Sequence, residues 1–219
     1  MNQNVFDIAD AEPALAAAAE AVARGEVIVL PTDTVYGVGA QATSGAAVQR
    51  LLDAKQRGRD LPPPVLVAEV AMVRALATDV DDRLHRLAEA FWPGALTVIL
   101  RARDSLRMDL GDRGDTIAVR VPDHDFTREL LRRTGPLAVS SANVHGRDAA
   151  LRISDAVDQL GESCSVYLDA GEMGGPVPST IVDLTGPQAR VLRAGRITAE
   201  QLNEAVPGLV AVPEGSPGA

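Results

Sequence analysis

The chain has 219 residues, 46% hydrophobic and 23% charged, with 21 basic against 30 acidic side chains and a net charge of −9. This is the composition of a globular chain able to bury one substantial core; it excludes a wholly disordered chain, a collagen-like repeat and a disulfide scaffold. The acidic balance and the six aromatic residues leave little for a partner held mainly by phosphate attraction or base stacking. Cys164, the sole cysteine, is expected to be a buried thiol.

In chain order, the Ala-rich residues 13–24 predict a helix with Pro13 in its first turn and Gly25 as its stop. EVIVL at 26–30 predicts a buried strand feeding PTDTVYGVG as an ordered loop, because Pro31, Gly37 and Gly39 break its continuation. Residues 45–54 predict a second helix capped by Ser44, with Val48, Leu51 and Leu52 at helical spacing and Lys55 at its C-terminal end. KQRGRDLPPP is too rich in cations and proline for regular structure, and VLVAE after it reads as a strand. Further helices are expected at 81–90, 126–133, 154–160 and 199–205, and WPG at 92–94 reads as a turn. Strands are expected at 96–100, 116–121, 137–140, 166–169, 180–184 and 190–193. The interleaving implies an α/β fold with a twisted mixed sheet and flanking helices, one domain over 1–208 and a frayed tail at 209–219. No stretch reaches the roughly 18 apolar residues of a membrane helix, and the start lacks the order of a signal peptide, so a cytoplasmic location is expected.

The 21 cations comprise one lysine, Lys55, and 20 arginines. A lysine retained where arginine serves everywhere else suggests a position needing a compact ammonium on a flexible stem. P-loop and dinucleotide-binding glycine signatures are absent, and His85, His124 and His145 show no metal-ligand spacing, so no metal site is expected. His85, among Leu84 and Leu87, reads as structural. What remains is a set of polar clusters at predicted strand ends: PTDT at 31–34, Lys55 with Arg57, SSAN at 140–143, PST at 178–180, and Arg193 before Gly195. Each alone has an ordinary use as a turn, a cap or a solvated charge. Together they offer cations, hydroxyls and amides with almost no acid–base machinery, which points to an anionic substrate oriented and stabilised by charge.

At these clusters the sequence resembles the YrdC-like family of threonylcarbamoyl-AMP synthases. It carries PTDTVYG at 31–37, KxR at Lys55 and Arg57, FWPGALT at 91–97, VRVPDH at 119–124, SSAN at 140–143, PSTIVDL at 178–184 and VLRAG at 191–195. The resemblance runs in family order over residues 26–205. It implies a mixed sheet around a large concave cavity and a reaction of L-threonine, bicarbonate or CO2, and ATP that gives threonylcarbamoyl-AMP and pyrophosphate. The product would supply a downstream transferase that builds N6-threonylcarbamoyladenosine in tRNA. By the same resemblance Lys55 and Arg57 neutralise charge during catalysis and, with Ser141, Asn143 and Arg193, hold the nucleotide, while Thr34, Arg120 and Ser179 hold threonine. Magnesium would arrive with ATP. Two departures stand out: Leu61 is followed by Pro62, Pro63 and Pro64 in the loop after KxR, and His145 stands at a serine position of the family pattern. The chain is also expected to lack the additional C-terminal domain of longer relatives. An RNA-binding module or a paralogue of altered activity would use the same cavity; with net −9, direct tRNA binding is expected to be weak.

Overall fold

Ten short strands form one sheet in a computed structural model that describes residues 4–106, 108–112 and 114–210. The first half of the chain gives β1 (Val5–Asp7), α1 (Ala11–Ala23), β2 (Ile28–Leu30), β3 (Gly37–Gln41), α2 (Gly45–Ala54) and β4 (Val65–Leu66). There follow α3 (Val73–Leu76), α4 (Asp82–Phe91), β5 (Leu96–Arg101), β6 (Thr116–Arg120), α5 (Asp125–Thr134) and β7 (Leu137–Ser141). The last third adds α6 (Ile153–Leu160), β8 (Val166–Asp169), β9 (Thr180–Asp183), β10 (Arg190–Arg193) and α7 (Ala199–Ala205). The strand order is β1-β8-β2-β3-β7-β4-β6-β5-β9-β10. The sheet is mixed: β8 pairs in parallel with β1 and β2, β4 with β6, and β5 with β9, while the other neighbours are antiparallel.

The two-residue period of a strand sorts side chains onto two cores. Ile28 and Leu30 of β2, Leu137 and Val139 of β7, and Val166 and Leu168 of β8 pack on one face with Leu15 and Val22 of α1 and Leu130 and Leu131 of α5. Val29, Ala138 and Tyr167, their alternates, face the larger core formed with α2, α4, α6 and α7. Helix α2 has the expected bounds, and Ser44 Oγ accepts a hydrogen bond from Ala47 N at 3.3 Å, the capping bond of a helix start.

The α1–α5 core ends at Leu66 and Val139. Farther along the same face, Ala118, Ile99 and Ile181 alternate with core residues Val119, Val98 and Val182 but are only half-buried. There the face opens into a cavity of about 560 Å³.

Two strands were not apparent in the sequence. β1 is an edge strand beside β8, in a stretch too short and acidic to show alternation. β3 lies in the segment read as a loop, where Gly37 and Gly39 are sites of close packing: a Cβ at Gly37 would lie 2.7 Å from Val139 Cγ1, and one at Gly39 2.9 Å from Leu30 Cδ2. At the other end, Leu209 and Val210 are buried, and Val210 exchanges two hydrogen bonds with the Asn203 carboxamide. Residues 209 and 210, expected in a frayed tail, are thus packed against the fold; the remainder of that expected tail, 211–219, lies outside the described residues. Cys164 is buried, and burial pushes its thiol pKa up to about 12. His85 lies on the exposed side of α4.

Candidate active site

Pro31 stops β2, and the residues after it fold into a turn held by hydroxyls. Thr32 Oγ1 donates to Val35 O at 2.7 Å, accepts from Thr34 N at 3.1 Å and meets Thr34 Oγ1 at 3.0 Å. The turn presents Asp33 to Arg120, the last residue of β6. Arg120 donates from Nη2 to Asp33 Oδ1 at 2.6 Å, from Nη1 to Thr34 Oγ1 at 3.2 Å and from Nε to Gly94 O at 3.0 Å. The pair is nearly sealed, with side chains 8% and 13% exposed, and Asp33 Oδ1 also accepts from Asp123 N. Burial pulls the Arg120 pKa down and the Asp33 carboxylate opposes that pull. With five N–H groups, three of them bonded, Arg120 keeps two for a ligand.

On the adjoining wall, buried Ser179 meets Thr97 Oγ1 at 2.9 Å. Arg193, at the end of β10, reaches Ser179 O from Nε at 3.0 Å and from Nη2 at 2.8 Å, and donates to Ser179 Oγ at 2.9 Å. Opposite stand Ser140 and Ser141 at the end of β7 and Asn143 of the turn after it, together with Arg57. Arg57 Nη1 donates to Ser140 Oγ at 3.0 Å, and its Nε is buried with no hydrogen-bond partner. Leu61 and the three prolines after it form another wall, lined with apolar surface that includes Leu110 and Ile117.

The lining carries four arginines, 57, 120, 147 and 193, and among the described residues no aspartate or glutamate. Burial lowers the pKa of Arg57, Arg120 and Arg193, and Arg193 is lowered further by the charges of Arg120 and Arg57. Three half- to fully buried cations thus face one cavity, and an anion there would offset their desolvation and the charge that Arg120 and Arg57 place on Arg193. Among the described residues no three His, Cys, Asp or Glu side chains gather to hold a metal.

The fold thus brings Thr34, Arg57, Arg120, Ser141, Asn143, Ser179 and Arg193 to one cavity. Lys55 is not in the lining. It is 2% exposed, with Nζ donating to Ser141 O at 2.5 Å and Asn143 O at 2.7 Å and lying 3.5 Å from Asn143 Oδ1. Gln56 explains the divergence from Arg57: its left-handed backbone, φ 51°, reverses the chain at the end of α2, so residues two apart face different ways. Burial, helped by the Arg57 charge, pulls the Lys55 pKa down to about 8. His145 is exposed; its main-chain N–H donates to Lys55 O at 2.8 Å. His124 caps α5, its Nδ1 accepting from Thr127 N at 3.4 Å.

Thr97 and Arg147 also line the cavity and were missed in the sequence. Thr97 had a signal, the single hydroxyl in LTVIL; Arg147 had none.

Comparison with known proteins gives one family. Residues 20–195 match the Sua5/YciO/YrdC family, described as "Telomere recombination". The chain is 46% identical over 207 residues to a Mycobacterium leprae protein provisionally named threonylcarbamoyl-AMP synthase, covering 93% of this chain and 94% of that one. It is 35% identical over 206 residues to the threonylcarbamoyl-AMP synthase of Bacillus subtilis, covering 93% of this chain and 59% of the longer relative. The solved Pyrococcus abyssi Sua5 complexed with L-threonine superposes with a TM-score of 0.85 at 30% identity, over 89% of this chain and 58% of that one. With the family match spanning most of the sheet and every wall of the cavity, this chain is a member of the Sua5/YciO/YrdC family.

Proposed function

We propose that the protein is a threonylcarbamoyl-AMP synthase that joins L-threonine, bicarbonate or CO2, and ATP. The observation that carries this reading is the set of four arginines in a cavity whose lining holds no acid, with the buried Arg57 Nε unpartnered in its wall. Threonine's neutral amine adds to CO2 to give a carbamate and a proton that leaves to solvent, or condenses with bicarbonate to give the same carbamate and water. A carbamate oxygen then attacks the α-phosphorus, the bond to the β-phosphate oxygen breaks, and pyrophosphate leaves. No proton has to move in that displacement; charge has to be gathered and held, which fits a site of arginines and hydroxyls.

In this reading Arg57, Ser141 and Arg193 meet the nucleotide, its magnesium arriving with it as part of the substrate. Asn143 contributes through the shape of its turn. Arg120, Thr34 and Ser179 hold the threonine carboxylate and hydroxyl; that threonine is the ligand is supported by the Pyrococcus abyssi relative solved in complex with L-threonine. The product passes to a threonylcarbamoyl transferase acting on tRNA, and the work is cytoplasmic. No helix among the described residues is long and apolar enough to cross a membrane. The test is mass spectrometry of products from threonine, bicarbonate and ATP, with pyrophosphate release followed in parallel. Threonylcarbamoyl-AMP that requires all three substrates is expected; ATP turnover indifferent to threonine would sink the reading. Serine and valine in place of threonine check the pocket: losing the hydroxyl is expected to cost more than losing the methyl, since it removes a hydrogen bond from a buried polar pocket.

A further inference from the structure

The lysine of the KxR segment is the one expected phosphate contact that the fold turns away from the cavity. Its ammonium has three N–H groups, and the structure offers three oxygens: the carbonyls of Ser141 and Asn143 and the carboxamide Oδ1 of Asn143. The carboxamide is committed on its other side too, with Nδ2 donating to Val144 O at 2.9 Å and Arg147 O at 2.8 Å. The main chain adds a bond from His145 N to Lys55 O. One short turn is thereby tied to the end of α2 from inside the protein. On its cavity side it presents Ser141, whose neighbour Ser140 holds Arg57.

We propose that Lys55 and Asn143 together are positioning residues that set the 140–145 turn from behind the cavity wall, so that Ser141 and Arg57, and not the lysine, meet the nucleotide. This rests on the reading of the cavity as a nucleotide site. An arginine cannot replace the lysine, because three oxygens converging on one nitrogen do not match a planar fork.

The single lysine makes the test direct, since labelling the protein with 15Nζ-lysine gives one side-chain ammonium to observe. A signal present without ligand, slow to exchange with water and nearly unmoved when a non-hydrolysable ATP analogue is added, is expected. A signal that is absent until the analogue is added, or that shifts strongly with it, overturns the proposal. Binding supplies a second reading. Lys55→Met is expected to raise the analogue's Kd at least tenfold while leaving threonine's within about twofold. Asn143→Ala in that background should add less than a further twofold, because both substitutions dismantle the same turn. Fully multiplicative effects, or near-native affinity in Lys55→Arg, would contradict it. The ammonium signal of the free protein is read without turnover, so it stands or falls separately from the synthase assay.

Discussion

Arg57 is held by one hydrogen bond through Nη1 while its Nε stays buried and unpaired, an arrangement that costs the free protein stability and rewards an anion. Arg57→Met is accordingly expected to weaken nucleotide binding by roughly ten- to a hundredfold, the range of a hydrogen bond to a charged group. The melting temperature should stay level or rise, because a buried cation with an unpaired N–H is gone; a fall of several degrees would mean that Arg57 is structural. Asp33 should behave in the opposite way. Asp33→Asn leaves the Arg120 guanidinium buried without its counter-charge, a loss of about 3–5 kcal/mol when one partner of a buried pair is removed. Thermal melting should show that drop, and Asp33→Asn with Arg120→Met should recover much of the stability while threonine binding stays lost. These residues also mark how far a sequence can be read. Thr34, Ser179 and Arg193 stood out as polar groups at predicted strand ends and Arg120 came only with the family resemblance; the fold brings all four to the cavity. Lys55 stood out, but the direction of its side chain was not legible, since the reversal at Gln56 and the convergence of two carbonyls on the ammonium exist only once the chain is folded.

At the level of elements, the long amphipathic pieces were legible and the closely packed ones were not. Helix α2 was plain because its cap, its period and its end agree, whereas β3 was hidden by glycines that look like breakers and in fact make room for Val139 and Leu30. Gly37→Ala is expected to destabilise the protein by about 1–3 kcal/mol, the usual cost of overpacking. Gly37→Ala with Val139→Ala should recover part of it, and denaturant unfolding of the two variants decides the matter. Helices α1 and α5 offer a check by pH. Arg133 joins Glu12 to Glu129, and Arg132 joins Glu129 to Glu69. Hydrogen bonds from Arg133 hold Glu12 and Glu129 below the ordinary value of 4.5, and one from Arg132 does the same for Glu69. A carboxylate with a lowered folded pKa contributes stability that is present above its unfolded value and is lost as pH falls through its folded one. Melting temperature should therefore decline below about pH 4.5, less steeply in Arg133→Met and less steeply in high salt, which screens exposed pairs.

For the whole molecule, net charge and cavity charge have opposite signs: −9 overall, with four arginines gathered in one hollow. A long polyanion meets mostly the former and a nucleotide mostly the latter. Binding of unmodified tRNA, followed by fluorescence anisotropy, is expected to be weak near 0.15 M salt and to yield to excess ATP; submicromolar binding that ignores ATP would show an RNA surface apart from the cavity. The half-covered sheet has a consequence for stability as well. Over β7 and β8 one face is closed by α1 and α5, but Ile99, Ala118 and Ile181 on the same face have only the cavity above them. Whatever fills that space becomes the missing piece of the hydrophobic interior, so substrate acts as the last element to pack. A nucleotide at a hundred times its Kd adds about 2.7 kcal/mol to unfolding. Calorimetry should then show a melting temperature raised by roughly 5–10 °C and a negative heat-capacity change on binding, the signature of apolar surface leaving water.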